Sequence, residues 1–500
     1  MIPQTVVPRM SIRSSPWAGL YRRLATAATA TRRPRQEGTI ASVFTTLTNE
    51  AEAALPARFV ELKRQIWRDD LRQSWQEVLS ELGPAVEEIE ARGGTIIPKV
   101  AYNDLKSGLP ATTVGEIKKR GAVIVTGGVP QDEALKWKRD IKDYAAANAQ
   151  HVRGFPPNDI QVFEIYNSKS QIRARTHPAL LETQKFLLSL WHTSDPGSEI
   201  SLTTPISYFD RLRIRHPGDS KFTLGPHIDG GSVERWEDPT LRSCFGRILQ
   251  GGSQWRKHDP FDASPRIHAK QDLYQTPNQC TVFRPWQGWT ALSSTRAGEG
   301  TLRVLPMLSL ATAYLMLRPF FRPRLLASPA SLDPADWEPD LDSPAFPGNV
   351  IGKTQEAKEH LHPHLQLQRS MVSIPQVQPG DQVYWHCDLV HAVEPQHRGT
   401  GDSSVLYIPA VPLTVNKYVG HAFPASWDSP SHSASYLRDQ RINFLSGLPP
   451  PDFPGGEGEL HFTGRGSADD VTSTTAREVL GFEPFHGIQF ATKVNEALRD

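Results

Sequence analysis

Between residues 205 and 415, short stretches of alternating apolar and polar residues follow one another, separated by Gly and Pro. Residues 206–215 show the alternation clearly and lead into a Pro-Gly-Asp turn. A period of two is typical of strands that bury one face, and closely spaced turns favour antiparallel pairing. The sequence therefore predicts an antiparallel β-sandwich or jelly roll at the centre of the protein.

Helical patterns dominate the part of the chain before this region. Residues 48–92 carry apolar residues at spacings of three and four, which predicts packed helices with Trp75 in the core. Residues 121–130 form a β-branched run bounded by Gly, which predicts a buried strand, and residues 132–148 predict the helix that follows it. The fold class expected from both halves is therefore α+β, with a mostly β core and N-terminal helices packed on it.

We divide the chain into four parts on these patterns. Residues 1–36 are a disordered or targeting segment, and residues 37–200 are a helical lead-in with one or more strands that extend the sheet. Residues 201–425 form the strand-rich core, interrupted at about 319–360 by a Pro-rich insertion that we expect to be irregular. Residues 426–500 are expected to wrap the surface of the same domain.

Composition narrows the class of protein and the compartment. With 38% hydrophobic and 22% charged residues, the chain has the composition of a soluble globular protein with a full core. Its three Cys form neither a disulfide framework nor a C-x-x-C zinc pattern, which indicates a reducing, intracellular compartment. Residues 1–36 hold seven Arg and no acidic residue, so the remainder is mildly acidic, which argues against nucleic acid as a partner.

The Arg-, Ser- and Thr-rich start of the chain is typical of a mitochondrial transit peptide, and an ordinary disordered tail is the alternative. We therefore expect a mitochondrial location, or otherwise a cytoplasmic one. The longest apolar stretch, residues 304–317, contains a Pro and is too short to cross a bilayer, so no membrane span is predicted.

One motif within the strand-rich region carries chemistry. Residues 225–231 read GPHIDGG, and on an extended strand His227 and Asp229 point to the same face. One further His would complete the two-His-one-carboxylate triad of non-haem Fe(II) oxygenases, which leaves the opposite face of the metal open. A lone H-x-D motif is weak evidence, and this chain has a second one at His386 and Asp388.

Three further segments follow the first H-x-D in an informative order. They are residues 283–293 (FRPWQGWTALS), 298–306 (GEGTLRVLP) and 379–393 (PGDQVYWHCDLVHAV). Together with the H-x-D, this set resembles the double-stranded β-helix, a cupin-like jelly roll, of the Fe(II)/2-oxoglutarate-dependent dioxygenases. The resemblance is to phytanoyl-CoA-hydroxylase-like members and to a little-characterised subfamily known as a domain of unknown function. It covers about residues 205–415, with the lead-in from residue 114.

The resemblance implies that His227, Asp229 and His391 are the metal ligands and the catalytic residues. Strand alternation places His386 and His391 on opposite faces, so it leaves open which of the two belongs to the site. In the superfamily the distal His ligand lies several residues beyond the first His that follows the apolar residues of this strand, and this favours His391.

The resemblance also implies 2-oxoglutarate as the co-substrate, whose distal carboxylate is gripped by an Arg or Lys. In similar members an Arg follows the distal His, but the corresponding residues 402–404 read DSS here. Arg398 and Arg303 are the candidates for this role, with Arg213 and Arg215 as alternatives. Other side chains expected to line the pocket or contact the co-substrate are Trp289, Thr290, Ser404 and Tyr407.

The expected function is that of a non-haem iron dioxygenase that uses Fe(II), 2-oxoglutarate and molecular oxygen to hydroxylate or oxidise a small-molecule substrate. The displaced Arg motivates one alternative, a non-catalytic metal- or ligand-binding protein on the same scaffold. A cupin-like oxygenase that does not use 2-oxoglutarate is another. The sequence determines neither the substrate nor the oligomeric state.

A second histidine-rich stretch, residues 360–364 (HLHPH), could bind zinc or copper if it formed an extended strand. Its Pro and the loop character of its neighbours favour a solvated stretch instead.

Overall fold

The structure, a computed structural model, describes residues 37–48, 54–209, 211–221, 223–415, 433–453 and 456–499. The expected targeting segment, residues 1–36, lies outside them. The described chain is a mixed α+β structure with several antiparallel sheets. None of its helices is long and apolar enough to span a membrane, as the sequence predicted.

The α-helices span Thr45–Thr48, Arg58–Ile66, Leu71–Arg92, Tyr102–Ser107, Ala111–Arg120, Gln131–Ala147, Lys169–Arg175, Pro178–Ser189, Glu234–Glu237, Pro239–Ser243, Gly246–Leu249, Leu308–Leu317, Leu367–Ser370, Ser433–Ser446, Thr474–Val479 and Ala491–Arg499. Short 3-10 helices span Ile40–Val43, Gly93–Ile96, Gly252–Lys257, Ser264–Arg266, Arg318–Phe320, Pro334–Asp336, Pro363–Leu365 and Ala468–Asp470.

The strands are β1 (Lys99–Ala101), β2 (Ala122–Thr126), β3 (Gly154–Phe155), β4 (Val162–Phe163), β5 (Ile200–Ile206), β6 (Leu212–Arg215), β7 (His227–Ile228), β8 (Trp286–Ala291), β9 (Leu302–Val304), β10 (Phe321–Pro323), β11 (Trp337–Pro339), β12 (Gln355–Glu356), β13 (Val372–Ser373), β14 (Gln382–His386), β15 (His391–Val393), β16 (Ser403–Leu406) and β17 (Val411–Thr414).

Two sheets form the centre of the molecule. The larger has eight strands in the order β1-β2-β14-β8-β16-β6-β4-β3, and the smaller has five in the order β12-β7-β15-β9-β13. Within them, only the β1–β2 pair is parallel. Residues of both sheets line one cavity, so the site described below lies between the two sheets.

The helical prediction for residues 48–92 is confirmed by the helices Arg58–Ile66 and Leu71–Arg92. The second helix buries a stripe at three- and four-residue spacing that includes Trp75. The indole ring of Trp75 stacks on the Phe321 ring with centroids 4.8 Å apart and planes 9° apart. The predicted buried strand is β2, and the helix after it spans Gln131–Ala147.

The Pro-rich insertion contains regular structure, so the prediction of an irregular segment is wrong for this part. Strands β10 and β11 pair antiparallel, with Phe321 opposite Pro339 and Pro323 opposite Trp337. Phe321 and Trp337 are both buried and both pack on the ring of Trp75. Burial of these aromatic rings stabilises the small sheet against the helix, and the Pro residues lie where strand edges tolerate them.

The prediction of a solvated histidine stretch is also wrong, because His362 and His364 are buried. The Nδ1 atom of His364 lies 3.0 Å from the Tyr314 hydroxyl, and its Nε2 atom lies 3.1 Å from the Ser331 carbonyl oxygen. Burial, with a smaller effect of Arg318, lowers the pKa of His364 to about 4. The imidazole is therefore a neutral part of the core under the insertion at physiological pH.

Candidate metal centre

The three predicted ligands meet between β7 and β15. The backbone of His391 pairs with that of His227 across the two antiparallel strands. The His227 Nε2 atom lies 3.6 Å from Asp229 Oδ1, and the His391 Nε2 atom lies 3.7 Å from Asp229 Oδ2. One ligand atom from each residue lies within 4.8 Å of the other two. This is a buried His-Asp-His triad with the donor atoms of a facial metal site.

Backbone carbonyl groups orient both imidazole rings. The Nδ1 atom of His227 lies 2.7 Å from the Gly225 carbonyl oxygen, and that of His391 lies 3.0 Å from the Leu389 carbonyl oxygen. Since a carbonyl can only accept, each Nδ1 donates its N–H to that carbonyl, and in the neutral ring the lone pair is then on Nε2, the atom nearest Asp229. The Phe44 ring packs edge-on against the His227 ring, with centroids 4.8 Å apart.

The charges of the triad also suit a divalent cation. Burial and the nearby His391 lower the pKa of His227 to about 4, so its imidazole is neutral at physiological pH. Burial alone would raise the pKa of Asp229, but the neighbouring His391, His227 and Arg284 side chains lower it below its usual value. A neutral imidazole and a carboxylate are the protonation states that metal binding requires.

The two glycines after the H-x-D turn the chain back beneath Asp229. Both have left-handed backbone conformations, with φ of 78° at Gly230 and 85° at Gly231. A Cβ atom on Gly230 would lie 2.2 Å from the Gln271 side-chain oxygen. The turn lets Arg235 donate to the carbonyl oxygens of Gly231 at 2.6 Å and Asp229 at 3.0 Å, which holds the ligand strand in place.

The second H-x-D lies apart from this site. The His386 ring stacks on the Trp191 ring with centroids 4.8 Å apart, and its Nε2 atom lies 3.0 Å from the Pro260 carbonyl oxygen. Donor atoms of residues 386–388 also lie within 4.8 Å of one another, but the Asp388 carboxylate forms a buried ion pair with Arg266. The structure thus brings His391, and not His386, to within 4.8 Å of His227 and Asp229.

A cavity of about 160 Å³ opens on the triad from between the two sheets, far more than the roughly 10–15 Å³ that one water requires. Apolar residues of the N-terminal segment, Ile40, Val43 and Phe44, line part of it. Glu356, the strand neighbour of His227, holds this segment by accepting hydrogen bonds from Thr45 and Thr46. The sequence did not predict that these three residues line the cavity, because a short apolar run of this kind does not indicate what it packs against.

The predicted co-substrate residues divide between the two faces of their strands. Trp289 and Tyr407 line the cavity. Ser404 lies on the opposite side of its strand from the lining residues Ser403 and Val405, and its hydroxyl donates to Asp402 at 2.7 Å. Thr290 does not line the cavity either, although its neighbours Trp289 and Ala291 do.

The two Arg candidates for the co-substrate carboxylate do not reach the cavity wall. Arg398 is exposed, and its Nε donates to the Gln396 side chain at 3.1 Å. Arg303 is turned away from its cavity-lining neighbour Leu302, and its Nη2 donates to the Met371 carbonyl oxygen at 2.9 Å. Successive residues of a strand face opposite sides, which accounts for the orientation of Arg303.

Other Arg side chains do line the cavity. Arg213, on β6, is buried, and its Nη1 atom lies 3.3 Å from the Tyr407 hydroxyl oxygen. Arg215 is committed to the fold, because it forms an ion pair with Asp219 at 2.8 Å and donates to backbone carbonyl groups. Arg284, for which the sequence predicted no role, also lines the cavity, and its Nη2 atom lies 3.7 Å from Asp229 Oδ2.

Comparison with known proteins identifies the family. The sequence pattern of the Gig2-like family matches residues 53–482, so the chain belongs to this family. The crystal structure of GlcNAc Inducible Gene 2, GIG2, from Candida albicans is 31% identical with a TM-score of 0.78, covering 90% of this chain and 96% of that one. The Escherichia coli (strain K12) protein YbiU, which is uncharacterised, is 29% identical over 461 residues, which span 89% of this chain and all of YbiU.

A third relative has a crystal structure from Salmonella typhimurium LT2. It is 27% identical, with a TM-score of 0.69, and the match covers 86% of this chain and 98% of that one. That protein is named provisionally as an oxidoreductase. The family is therefore established for this chain over most of its length.

Proposed function

We propose that this protein is a non-haem iron oxygenase that uses 2-oxoglutarate and molecular oxygen to oxidise a small-molecule substrate. On this proposal the two central sheets are the halves of a double-stranded β-helix. The observation that carries the proposal is the convergence of His227, Asp229 and His391 on a cavity between these sheets. The provisional naming of the Salmonella relative as an oxidoreductase agrees with it.

The residues present fit a divalent iron ion. Both Nδ1 atoms face carbonyl oxygens, which leaves the Nε2 atoms of the neutral rings available to an ion, and Asp229 supplies the negative charge. The two imidazoles and the carboxylate would hold such an ion at the wall of the cavity. A non-catalytic binding protein would have no need of this donor set, which is why we favour an enzyme.

We assign the distal carboxylate of 2-oxoglutarate to Arg213 and the hydroxyl of Tyr407. Both residues line the same cavity as the triad, and the side chains touch at 3.3 Å. Arg213 pairs in register with Val405 of β16. That strand begins in the segment, residues 402–404, where the resemblance would place the Arg that binds the co-substrate. On this assignment the guanidinium group belongs to the strand next to β16 and lines the same cavity, where it can donate to a carboxylate.

Iron with 2-oxoglutarate and oxygen would supply oxidative decarboxylation to succinate and carbon dioxide, coupled to oxidation of the substrate. The protein's own part is to bind and orient. Gly225 and Leu389 hold the two imidazole rings through their carbonyl groups. Phe44 and Trp385 flank these rings and keep bulk water from that side of the cavity.

The proposal is tested on the purified full-length chain under anaerobic conditions. We expect it to bind one equivalent of Fe(II), then to bind 2-oxoglutarate in calorimetry, and to form succinate when oxygen is admitted. Failure to bind iron would overturn the proposal. Iron binding without 2-oxoglutarate binding would instead favour an oxygenase that does not use this co-substrate.

An Arg213→Met variant is expected to raise the Kd of 2-oxoglutarate about tenfold or more, because a charge-assisted hydrogen-bonded pair is lost. Iron binding should be unchanged, since Arg213 is not a ligand. Calorimetry on the iron-loaded protein measures both quantities. Arg398→Met is the matched control, because that side chain is exposed outside the cavity, and its Kd should equal that of the wild type. An equal effect of the two substitutions would contradict the assignment.

A further inference from the structure

Four Arg side chains line the cavity, and the proposed co-substrate accounts for one of them. Among the described residues that line it, Asp229 is the one carboxylate, and it belongs to the triad. Asp219 neutralises Arg215, and the proposed function assigns Arg213 to 2-oxoglutarate. The guanidinium groups on the wall are those of Arg211, Arg213, Arg215 and Arg284. Arg284 is the one that lies beside the triad.

Most hydrogen-bond donors of Arg284 are free to meet a ligand. Its Nη2 donates to Gln287 Oε1 at 3.3 Å and lies 3.7 Å from Asp229 Oδ2, which is beyond hydrogen-bonding distance. Among the described residues, no other acceptor lies within hydrogen-bonding distance of a guanidinium that has five N–H donors. The side chain is 20% exposed, and it lines the cavity.

Gln287 adds a second donor beside this guanidinium. Its Oε1 accepts from Arg284, and its amide nitrogen has no hydrogen-bond acceptor in the described part of the protein. The residue is buried and lines the cavity on β8, in register with Trp385 of β14. A guanidinium and an amide N–H side by side present the donor pattern that a planar carboxylate accepts.

We propose that Arg284 and Gln287 bind a carboxylate of the substrate, so that the substrate is a small organic acid. This inference rests on the proposed function, because it places the acid next to the triad in the cavity that holds the co-substrate. The anion also adds negative charge beside this cation. Among the described residues, the one carboxylate within 4 Å of the Arg284 guanidinium is that of the proposed metal ligand Asp229, at 3.7 Å, and the buried Asp452 acts on it from farther away. A buried guanidinium is costly when its nearest carboxylate would also hold a metal ion, and a bound carboxylate reduces that cost.

The test uses trifluoroacetate as a carboxylate probe and trifluoroacetamide as its neutral counterpart, followed by fluorine NMR line broadening at constant ionic strength. An Arg213→Met background removes the other carboxylate-binding position that we propose. In that background we expect saturable trifluoroacetate binding, which Arg284→Met weakens about tenfold or more. Gln287→Leu should weaken it less, and Arg284→Lys should give an intermediate Kd because it keeps the charge but loses the fork.

The proposal would be overturned if Arg284→Met left the affinity for trifluoroacetate unchanged in the Arg213→Met background. It would also be overturned if that background bound trifluoroacetamide as tightly as trifluoroacetate. Gln287→Leu provides an independent reading if Arg284→Met fails to fold. The measurement is made first without metal and then with Fe(II) and 2-oxoglutarate under anaerobic conditions. The protein could bind trifluoroacetate through Arg284 and yet bind neither iron nor 2-oxoglutarate. That result would support the anion site and reject the oxygenase proposal, so the two failures are distinguishable.

Discussion

A His391→Ala variant is expected to lose stoichiometric Fe(II) binding and, with it, succinate formation above background. Loss of a residue that only orients a metal ligand typically costs 10–100-fold in affinity or activity, so loss of a ligand should cost more than about a hundredfold. The remaining His227 and Asp229 could hold an ion only through two protein bonds. Metal content after anaerobic gel filtration and succinate release from 2-oxoglutarate are the two measurements.

A matched variant separates this effect from a general loss of structure. His360 is exposed and lies outside the cavity, so His360→Ala should retain both iron and turnover. Added imidazole should restore part of the iron binding of His391→Ala, because it supplies the missing donor to the space that the substitution leaves. Full iron content in His391→Ala would show that the triad is not the metal centre.

The triad illustrates what the sequence could predict and where it stopped. A His and an Asp two residues apart on a strand share a face whatever the fold, so spacing alone indicated His227 with Asp229 and equally His386 with Asp388. The order of the segments that follow the first pair favoured His227 and Asp229. Spacing could not identify the third member of the triad, because His386 and His391 lie on one continuous stretch and alternation only places them on opposite faces. Tertiary packing decides between them: the His386 ring stacks on Trp191, whereas the His391 backbone pairs with that of His227.

The residues predicted to contact the co-substrate show a different limit. A shift of one residue along a strand exchanges its two faces, so the choice between Ser403 and Ser404 depends on a register that the sequence does not reveal. Ser403 faces the cavity opposite Arg215, and Ser404 points away from it. Arg213 lies on a strand far away from Tyr407 in the sequence, and the pairing of β6 with β16 brings the two side chains together.

The buried histidines and the insertion show a third limit. Residues 319–348 are rich in Pro and have no long apolar run, which indicates a loop. Their aromatic residues Phe321 and Trp337 nevertheless find a large apolar partner in Trp75. That long-range contact orders the hairpin and buries His364 against it, with ring centroids of His364 and Trp337 4.8 Å apart. The composition of residues 319–348 does not reveal a packing partner that lies so far away in the sequence.

An Asp388→Asn variant is expected to destabilise the fold by about 3–5 kcal/mol, because it leaves a buried guanidinium without its counter-charge. The Arg266 and Asp388 side chains are each 6% exposed, and Arg266 Nη1 lies 3.3 Å from Asp388 Oδ1 besides a closer contact through Nη2. The aromatic rings of Trp191 and Phe245 enclose the cation. Urea unfolding of the metal-free protein measures the difference in the free energy of unfolding.

The control is an ion pair of the same chemistry at the surface. Arg64 and Asp342 lie 3.1 Å apart with side chains 53% and 75% exposed, so Asp342→Asn should change stability by less than about 1 kcal/mol. A double variant, Arg266→Met with Asp388→Leu, should be more stable than Asp388→Asn, because it removes the unpaired charge while filling the space. Similar losses for Asp388→Asn and Asp342→Asn would contradict the buried-pair account.

The pH dependence of the Asp388→Asn effect follows from the direction of the carboxyl pKa shift. Burial alone would raise the pKa of Asp388, but Arg266 lowers it below its usual value. The pair therefore contributes its full stability above the ordinary Asp pKa of about 4, and that contribution is lost only as the pH falls through the lower folded-state value. The difference between wild type and Asp388→Asn should accordingly stay constant from about pH 5 to pH 8. A difference that changed steeply within that range would mean that another titrating group, and not this carboxylate, dominates the effect.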